Sequence, residues 1–176
     1  MVNYDLISLN KTQFKGYSQK FEYVTTKYYH VDQENNGFHW TVCDYDTPQT
    51  KSFVDTLFED WMEDPVAFGI FDADHLVAFI EGSIESWHQM FRVTNIFVEE
   101  RLRNSGLGTK MMKHIIAFAK TMNVRCVILE TQSCNYPAIS FYLKNGFKLI
   151  AINTIEYSND DLQKDEVRFD LAYRLD

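Results

Sequence analysis

Between residues 90 and 131 the hydrophobic period of the chain changes twice, and few folds accommodate that. Positions 90–98, MFRVTNIFV, read as a strand. Positions 106–122 place Leu107, Met111, Ile115, Phe118 and Met122 on one side and Lys110, Lys113, His114 and Lys120 on the other. That is the period of an amphipathic helix. RCVILET at 125–131 is nearly unbroken apolar, which suits a central strand covered on both faces. Strand, helix and strand in this order make a helical crossover, so the sheet must carry helices on its faces.

The flanking segments extend this frame. FEYVTTKYYHV at 21–31 reads as a strand and DQENNG at 32–37 as a turn. TKSFVDTLFEDWM at 50–62 repeats Phe53, Leu57 and Trp61 at helical spacing and predicts a helix. VAFGIF (66–71) and HLVAFIEGSIE (75–85) should form a hairpin about the DAD turn at 72–74. Further on, Asn135 suits a helix N-cap, and Asn145-Gly146 should end that helix after Lys144. Strands at 147–155 and 166–173, joined by YSNDDLQKD, complete the order β, α, β, β, β, α, β, α, β, β. The fold class is α/β with a mixed central sheet. With no linker-like stretch and no internal repeat, residues 1–176 are expected to form one domain.

Composition narrows the function. A formal charge of -8, from 25 acidic and 17 basic residues, argues against nucleic acid and mildly favours a cationic partner. The three cysteines, Cys43, Cys126 and Cys134, make neither a disulfide framework nor a metal motif, so no metal is expected. MVNYDLISLN is too polar for a targeting segment and no apolar run is long enough to span a bilayer. A cytoplasmic protein without membrane contact is the expectation.

RLRNSGLGTK, positions 101–110, sits where the 90–98 strand hands over to the helix. Unpaired N–H groups of a first helical turn attract an anion, and glycines let the backbone approach a phosphate closely. Arg101 and Arg103 add positive charge. The Walker and dinucleotide spacings are both absent. On these residues alone, a loop that merely shapes a helix start remains an alternative.

Arg103-Asn104-Ser105-Gly106-Leu107-Gly108 resembles the Arg-x-x-Gly-x-Gly/Ala pyrophosphate loop of the GCN5-related N-acetyltransferase (GNAT) superfamily. Asn135, Ala138, Phe141, Tyr142, Gly146 and Phe147 are similar to its second signature, N-x-x-A-x-x-F-Y-x-x-x-G-F. The two segments lie about thirty residues apart with the right elements between them. LETQSCN (129–135), YSN (157–159) and the last strand headed by Glu166 look like the streptothricin acetyltransferase branch.

The resemblance implies a GNAT-like mixed central sheet with a splayed central strand pair, 90–98 and 125–131, and acetyl-CoA as cofactor. Backbone groups of Ile96, Phe97 and Val98 would pair with the pantetheine arm. The N–H groups of Arg103, Asn104, Ser105, Gly106, Leu107, Gly108 and Thr109 would hold the pyrophosphate. Asn135 would contact the cofactor or serve as a helix cap. Tyr142 matches the family tyrosine beside the sulfur, where a phenol can protonate the leaving thiolate; a plain core aromatic is the alternative.

Many relatives carry a Glu base on the central strand, where this chain has Thr94 and Asn95. Other carboxylates must therefore be weighed. Glu130, on an otherwise apolar strand, and Glu85 are the catalytic candidates, at acceptor recognition or as proton relays. His88 is a further titratable candidate. Glu81, Glu85, Glu130, Tyr157 and Asn159 are candidates for the acceptor pocket. Arg92 can instead pair with Glu81, Glu85 or Glu130, which would make those carboxylates structural. Cys134 has no histidine in a motif for nucleophilic catalysis, so direct transfer is simpler.

The implied reaction is acetyl transfer to a primary amine of a small cationic acceptor, such as a streptothricin-like antibiotic, an aminoglycoside, a polyamine or an amino acid. Transfer to a peptide lysine or N-terminus is a second reading. A CoA-binding sensor or partner subunit without turnover is a third. A monomer or homodimer is expected.

Overall fold

The computed structural model describes residues 4–35 and 37–175. It contains two compact units. One comprises Met1–Phe21, Val54–Ile128 and Arg174–Asp176, and the other Glu22–Phe53 and Leu129–Tyr173. The strands form a mixed central sheet flanked by helices, as the α/β reading requires.

In the first unit the strands lie in the order β1 (Leu6–Ser8), β4 (Glu63–Asp72), β5 (His75–Glu85), β6 (Met90–Val98) and β7 (Cys126–Gln132). β7 runs on into the second unit, where β9 (Arg168–Arg174) and then β8 (Lys148–Asn153) follow it. β1, β4, β5 and β6 pair antiparallel, each with the next. β6 and β7 pair parallel, as a helical crossover dictates. The crossover helix α2 (Leu107–Ala119) buries Leu107, Met111, Met112, Ile115, Ile116 and Ala119 and packs on β5 and β6. At roughly 1.5–3 kcal/mol for each fully buried large aliphatic side chain, this face is what holds the helix to the sheet. Its lysines, 110, 113 and 120, are exposed, as the sequence period requires.

The DAD hairpin forms with Asp72 opposite His75. Strands 75–85 and 90–98 have the expected bounds. α3 (Tyr136–Lys144) starts at Asn135, whose side chain accepts from the Ala138 N–H at 3.3 Å, and ends at Asn145. The strand read at 21–31 is longer, as β2 (Ser18–Glu34). Of the turn expected at 32–37, Asn36 lies outside the described residues.

The helix expected at 50–62 does not form. Residues 50–56 belong to β3 (Gly37–Thr56), which makes a two-stranded sheet with β2. Phe53 and Trp61, the ends of the helical pattern, are exposed, whereas the adjacent Leu57 and Phe58 are the buried pair. A long partner strand, invisible to a local period, prevailed over a three-residue match. The first half of β3 and the short helix α1 (Lys11–Phe14) had no element assigned to them from the sequence.

β5 is buried along most of its length, and its ladder with β6 has one irregularity. Glu81 faces Asn95 and Gly82 faces Val93, so Thr94 is the extra residue of a β-bulge. A Cβ on Gly82 would lie 2.4 Å from the Phe91 ring and 2.6 Å from the Arg92 carbonyl oxygen. Since the carbonyl is backbone, the neighbouring strand itself would have to move. Gly82→Ala is therefore expected to cost about 1–3 kcal/mol, as overpacking does. Urea unfolding checks this; an unchanged midpoint would mean that β6 gives way without cost.

Candidate functional site

The β6–β7 ladder consists of Met90↔Cys126, Phe91↔Val127 and Arg92↔Ile128 and continues no further, while β6 runs on to Val98. On its other side β6 stays paired with β5 through Ile80↔Ile96, Phe79↔Phe97 and Ala78↔Val98. Residues 94–98 are thus held by one neighbour beyond the last β7 pair, which is the splay expected of this strand pair. Phe97 anchors the stretch by stacking on Phe79, at 5.4 Å between centroids, and meeting Phe21 edge-on.

After β6 the chain makes a 3₁₀ turn at Glu100–Leu102 and enters the glycine-bearing loop. Asn104 (φ 62) and Gly106 (φ 91) both take left-handed backbone. Ser105 Oγ donates to the Leu102 carbonyl at 2.5 Å, and Arg103 Nε to the Val98 carbonyl at 3.2 Å, tying the loop to the strand end. α2 then begins at Gly106 with no side-chain cap and no acidic residue in its first turn. A helix start of this kind favours an anion through its N–H groups and dipole. Arg101 is committed elsewhere, to Glu99 (2.8 Å) and Asp72 (2.9 Å). Arg103, through its bond to the Val98 carbonyl, keeps its guanidinium at the strand end beside the loop. The donor chemistry of this uncapped helix start suits a diphosphate, and the space beside it is open: nothing lies within 4 Å of where a Gly106 Cβ would be.

A second feature of this unit is a carboxylate without solvent contact. Glu81 is 0% exposed. Its Oε1 accepts from the Phe58 N–H at 2.6 Å, and its Oε2 accepts from Thr94 Oγ1 and Asn95 Nδ2, each at 3.0 Å. Burial pushes its pKa up, and these donors oppose the shift. The bulge explains the geometry, since it turns both Thr94 and Asn95 toward one residue of β5. Asp55 accepts from the Thr56 N–H at 2.7 Å, and burial raises its pKa too.

Glu85 is held by the Arg92 guanidinium and lies 2.9 Å from His88 Nε2. This is the ion-pair alternative of the sequence reading, with Arg92 and Glu85 as partners, and it engages the histidine candidate as well.

The second unit carries the remaining candidates. Tyr142 is 8% exposed and packs on Phe141 and Phe147. Burial pushes its phenol up to about 12. Glu130 is on the exposed side of β7 and pairs with Arg168, which also binds Glu156 (2.7 Å) and Asp170 (2.8 Å). Its place on an apolar strand therefore reflects this ionic cluster. Burial and then the Glu130 charge raise the Tyr157 phenol. Asn159 is exposed. Cys134 is fully buried, 3.6 Å from the Tyr23 hydroxyl, and burial raises its thiol, which is opposite to what a nucleophile needs.

Sequence reasoning placed Glu81 among the acceptor contacts or as a partner of Arg92, and did not foresee that it is fully buried. The available signal was a lone acid within LVAFIEGSI, facing a Thr-Asn pair on the next strand.

The acetyltransferase (GNAT) family model matches residues 21–147. Streptothricin acetyltransferase of Streptomyces lavendulae is 29% identical over 143 residues, covering 77% of this chain and 76% of that protein. The Escherichia coli streptothricin acetyltransferase is 25% identical over 135 residues, covering 77% and 75%. Among solved structures, a nourseothricin acetyltransferase superposes with a TM-score of 0.78 at 22% identity, covering 98% of this chain and 99% of that one. A Bacillus anthracis str. Ames protein solved with acetyl coenzyme A gives 0.71 at 18% identity, covering 96% and 98%. These two likenesses bear on fold.

The loop itself yields a test. With open space around Gly106, substitution there is opposed by backbone conformation alone. Gly106→Ala should cost about 1–2 kcal/mol, the penalty for left-handed backbone in an L-residue. Gly106→Asn, which tolerates that region, should cost less. Denaturant unfolding ranks the two, and equal losses would contradict the conformational account.

Proposed function

The chain belongs to the acetyltransferase (GNAT) family, and from that premise we propose that it transfers the acetyl group of acetyl-CoA to a primary amine of a small cationic acceptor of the streptothricin class. The observation that carries this reading is the uncapped start of α2 at Gly106, directly after a strand that outruns its β7 ladder. A thread-like cofactor with a diphosphate needs both an available strand stretch and an anion site at one end. The relatives named above support the acceptor class, and the charge of -8 agrees with a cation.

In this reading, Ile96, Phe97 and Val98 hold the pantetheine arm through their backbone. The N–H groups from Arg103 to Thr109, with the Arg103 guanidinium, hold the pyrophosphate. Asn135 caps α3 and contacts the cofactor. When bound, acetyl-CoA supplies an acyl group activated as a thioester. Tyr142 keeps its proton at any working pH, because burial holds its phenol near 12. It is the donor that protonates the departing sulfur. Glu130, Glu85, Tyr157 and Asn159 serve acceptor recognition, where a carboxylate needs only its charge to attract an ammonium. Transfer is direct, without an acyl-enzyme at Cys134.

A second reading is favoured by one observation: the central strand has Thr94 and Asn95 where many relatives have a base. A CoA-binding protein without turnover would tolerate that. A proton donor at Tyr142 argues for the enzyme.

A panel of amines (streptothricin, aminoglycosides, polyamines and amino acids), assayed by release of free CoA, tests the assignment. Turnover with streptothricin or another small polycation is expected. Tyr142→Phe should lower kcat by about a hundredfold or more while acetyl-CoA still binds. Full kcat in that variant removes Tyr142 from the chemistry, and acetyl-CoA binding without turnover of any amine supports the second reading.

A further inference from the structure

Consecutive side chains of a regular strand point to opposite faces. In β6 two consecutive residues, Thr94 and Asn95, donate to the same atom, Glu81 Oε2, each at 3.0 Å. The bulge makes this possible, because Thr94 is the extra residue between the pairs Glu81↔Asn95 and Gly82↔Val93. Glu81 Oε1 accepts from the Phe58 N–H at 2.6 Å, just past the end of β3. Glu85 and Glu130 are bound to guanidinium groups, whereas the donors that hold Glu81 are neutral and lie on two other segments. With no exposed surface and three protein donors, Glu81 is reached by no substrate atom unless a donor is displaced.

The position of the bulge matters to the residues beyond it. An antiparallel strand turns the N–H and C=O groups of alternate residues toward its partner, and those of the residues between away from it. A bulge one residue earlier or later would exchange the two sets, and the side chains of the shifted stretch would change face. The β7 ladder, which ends at Arg92↔Ile128, no longer constrains residues 94–98. Burial does not select a register there either, since Ile96, Phe97 and Val98 are all half-buried and show no inside–outside alternation. Gly82 permits the close approach of Phe91 and of the Arg92 carbonyl but supplies no attraction. The Glu81 carboxylate does attract, and the two groups it binds come together because the extra residue is Thr94.

We propose that Glu81 is the positioning residue of the cofactor strand: it pins the β6 bulge at Thr94 and so determines which backbone groups of Ile96, Phe97 and Val98 face away from β5, toward the pantetheine arm. The inference rests on the acetyltransferase reading above. Thr94 and Asn95, which stand where many relatives have a glutamate, are in this chain two donors of that anchor. The loop at 103–109 has causes of its own: left-handed backbone at Asn104 and Gly106, and bonds from Ser105 and Arg103 to nearby carbonyls. The diphosphate end of the cofactor site is therefore independent of Glu81, and the pantetheine end depends on it.

Calorimetry on the full chain separates the two ends by comparing acetyl-CoA with 3′-phospho-ADP, which is CoA without its pantetheine arm. Glu81→Gln replaces one acceptor oxygen with an N–H donor, which must face either Phe58 or the Thr94–Asn95 pair. It should weaken acetyl-CoA binding about tenfold, the loss of one net hydrogen bond, and leave 3′-phospho-ADP binding unchanged. A Glu81 that served stability alone would move unfolding and neither affinity, or both affinities alike. Thr94→Val removes one donor and should show the same selective loss. Thr94→Ser keeps the hydroxyl and should bind both ligands as the wild type does. Unchanged acetyl-CoA binding in Glu81→Gln, or equal loss of both ligands, overturns the proposal and leaves the acetyltransferase reading standing. So does a wild type that binds both ligands equally well, since the strand then contributes nothing. Should Glu81→Gln fail to fold, equal acetyl-CoA affinity in Thr94→Val and Thr94→Ser overturns it. A wild type that binds no acetyl-CoA overturns the acetyltransferase reading, and this proposal with it.

Discussion

A carboxylate with no exposed surface must find its donors inside the protein, and Glu81 finds them at separate points of the chain. Removing a charge or even a hydroxyl from water costs several kcal/mol unless hydrogen bonds replace the lost hydration. Here the Phe58 N–H, the Thr94 hydroxyl and the Asn95 amide replace it. Phe58 has left-handed backbone (φ 59), which a bulky aromatic seldom adopts. Its bond to Glu81 and its burial hold it there. The exit from β3, the centre of β5 and the bulge of β6 are thereby fixed to one another.

That constraint reaches the site through the bulge. An extra residue in β6 turns Thr94 and Asn95 together toward Glu81 and changes the twist of the strand just before Ile96–Val98. Gly82, opposite the irregularity, lets Phe91 and the Arg92 carbonyl come closer than a side chain would permit. The end of the β6–β7 ladder at Arg92↔Ile128 lies on the same strand, two residues before the bulge. The loop that follows owes its form to local causes: left-handed backbone at Asn104 and Gly106, and side-chain bonds from Ser105 and Arg103 to carbonyls a few residues back.

The site was legible in unequal measure. The glycine-bearing loop, the Asn135 cap and the amphipathic α2 could be read directly, because each depends on residues within a turn or two of itself. The helix expected at 50–62 failed for the opposite reason. Phe53, Leu57 and Trp61 repeat at helical spacing, yet pairing with β2 decided the conformation, and β2 is a long way off in the chain. Glu130 drew attention as an acid on an apolar strand, but Arg168, some forty residues later, accounts for its placement. Glu81 is the acid that the argument from buried charge fits, marked by its place inside the apolar run LVAFIEGSI, whereas Glu85 stands at the end of the strand.

The sequence alone determined the class of fold, the crossover from β6 through α2 to β7, and the backbone chemistry of the loop at 103–108. These follow from hydrophobic period, capping and glycine placement, which act over a few residues. Tertiary structure alone decided which carboxylates are ion-paired, which is buried, and that residues 50–56 extend a strand. Those outcomes depend on which distant groups supply a donor or a guanidinium, and a local pattern carries no record of them.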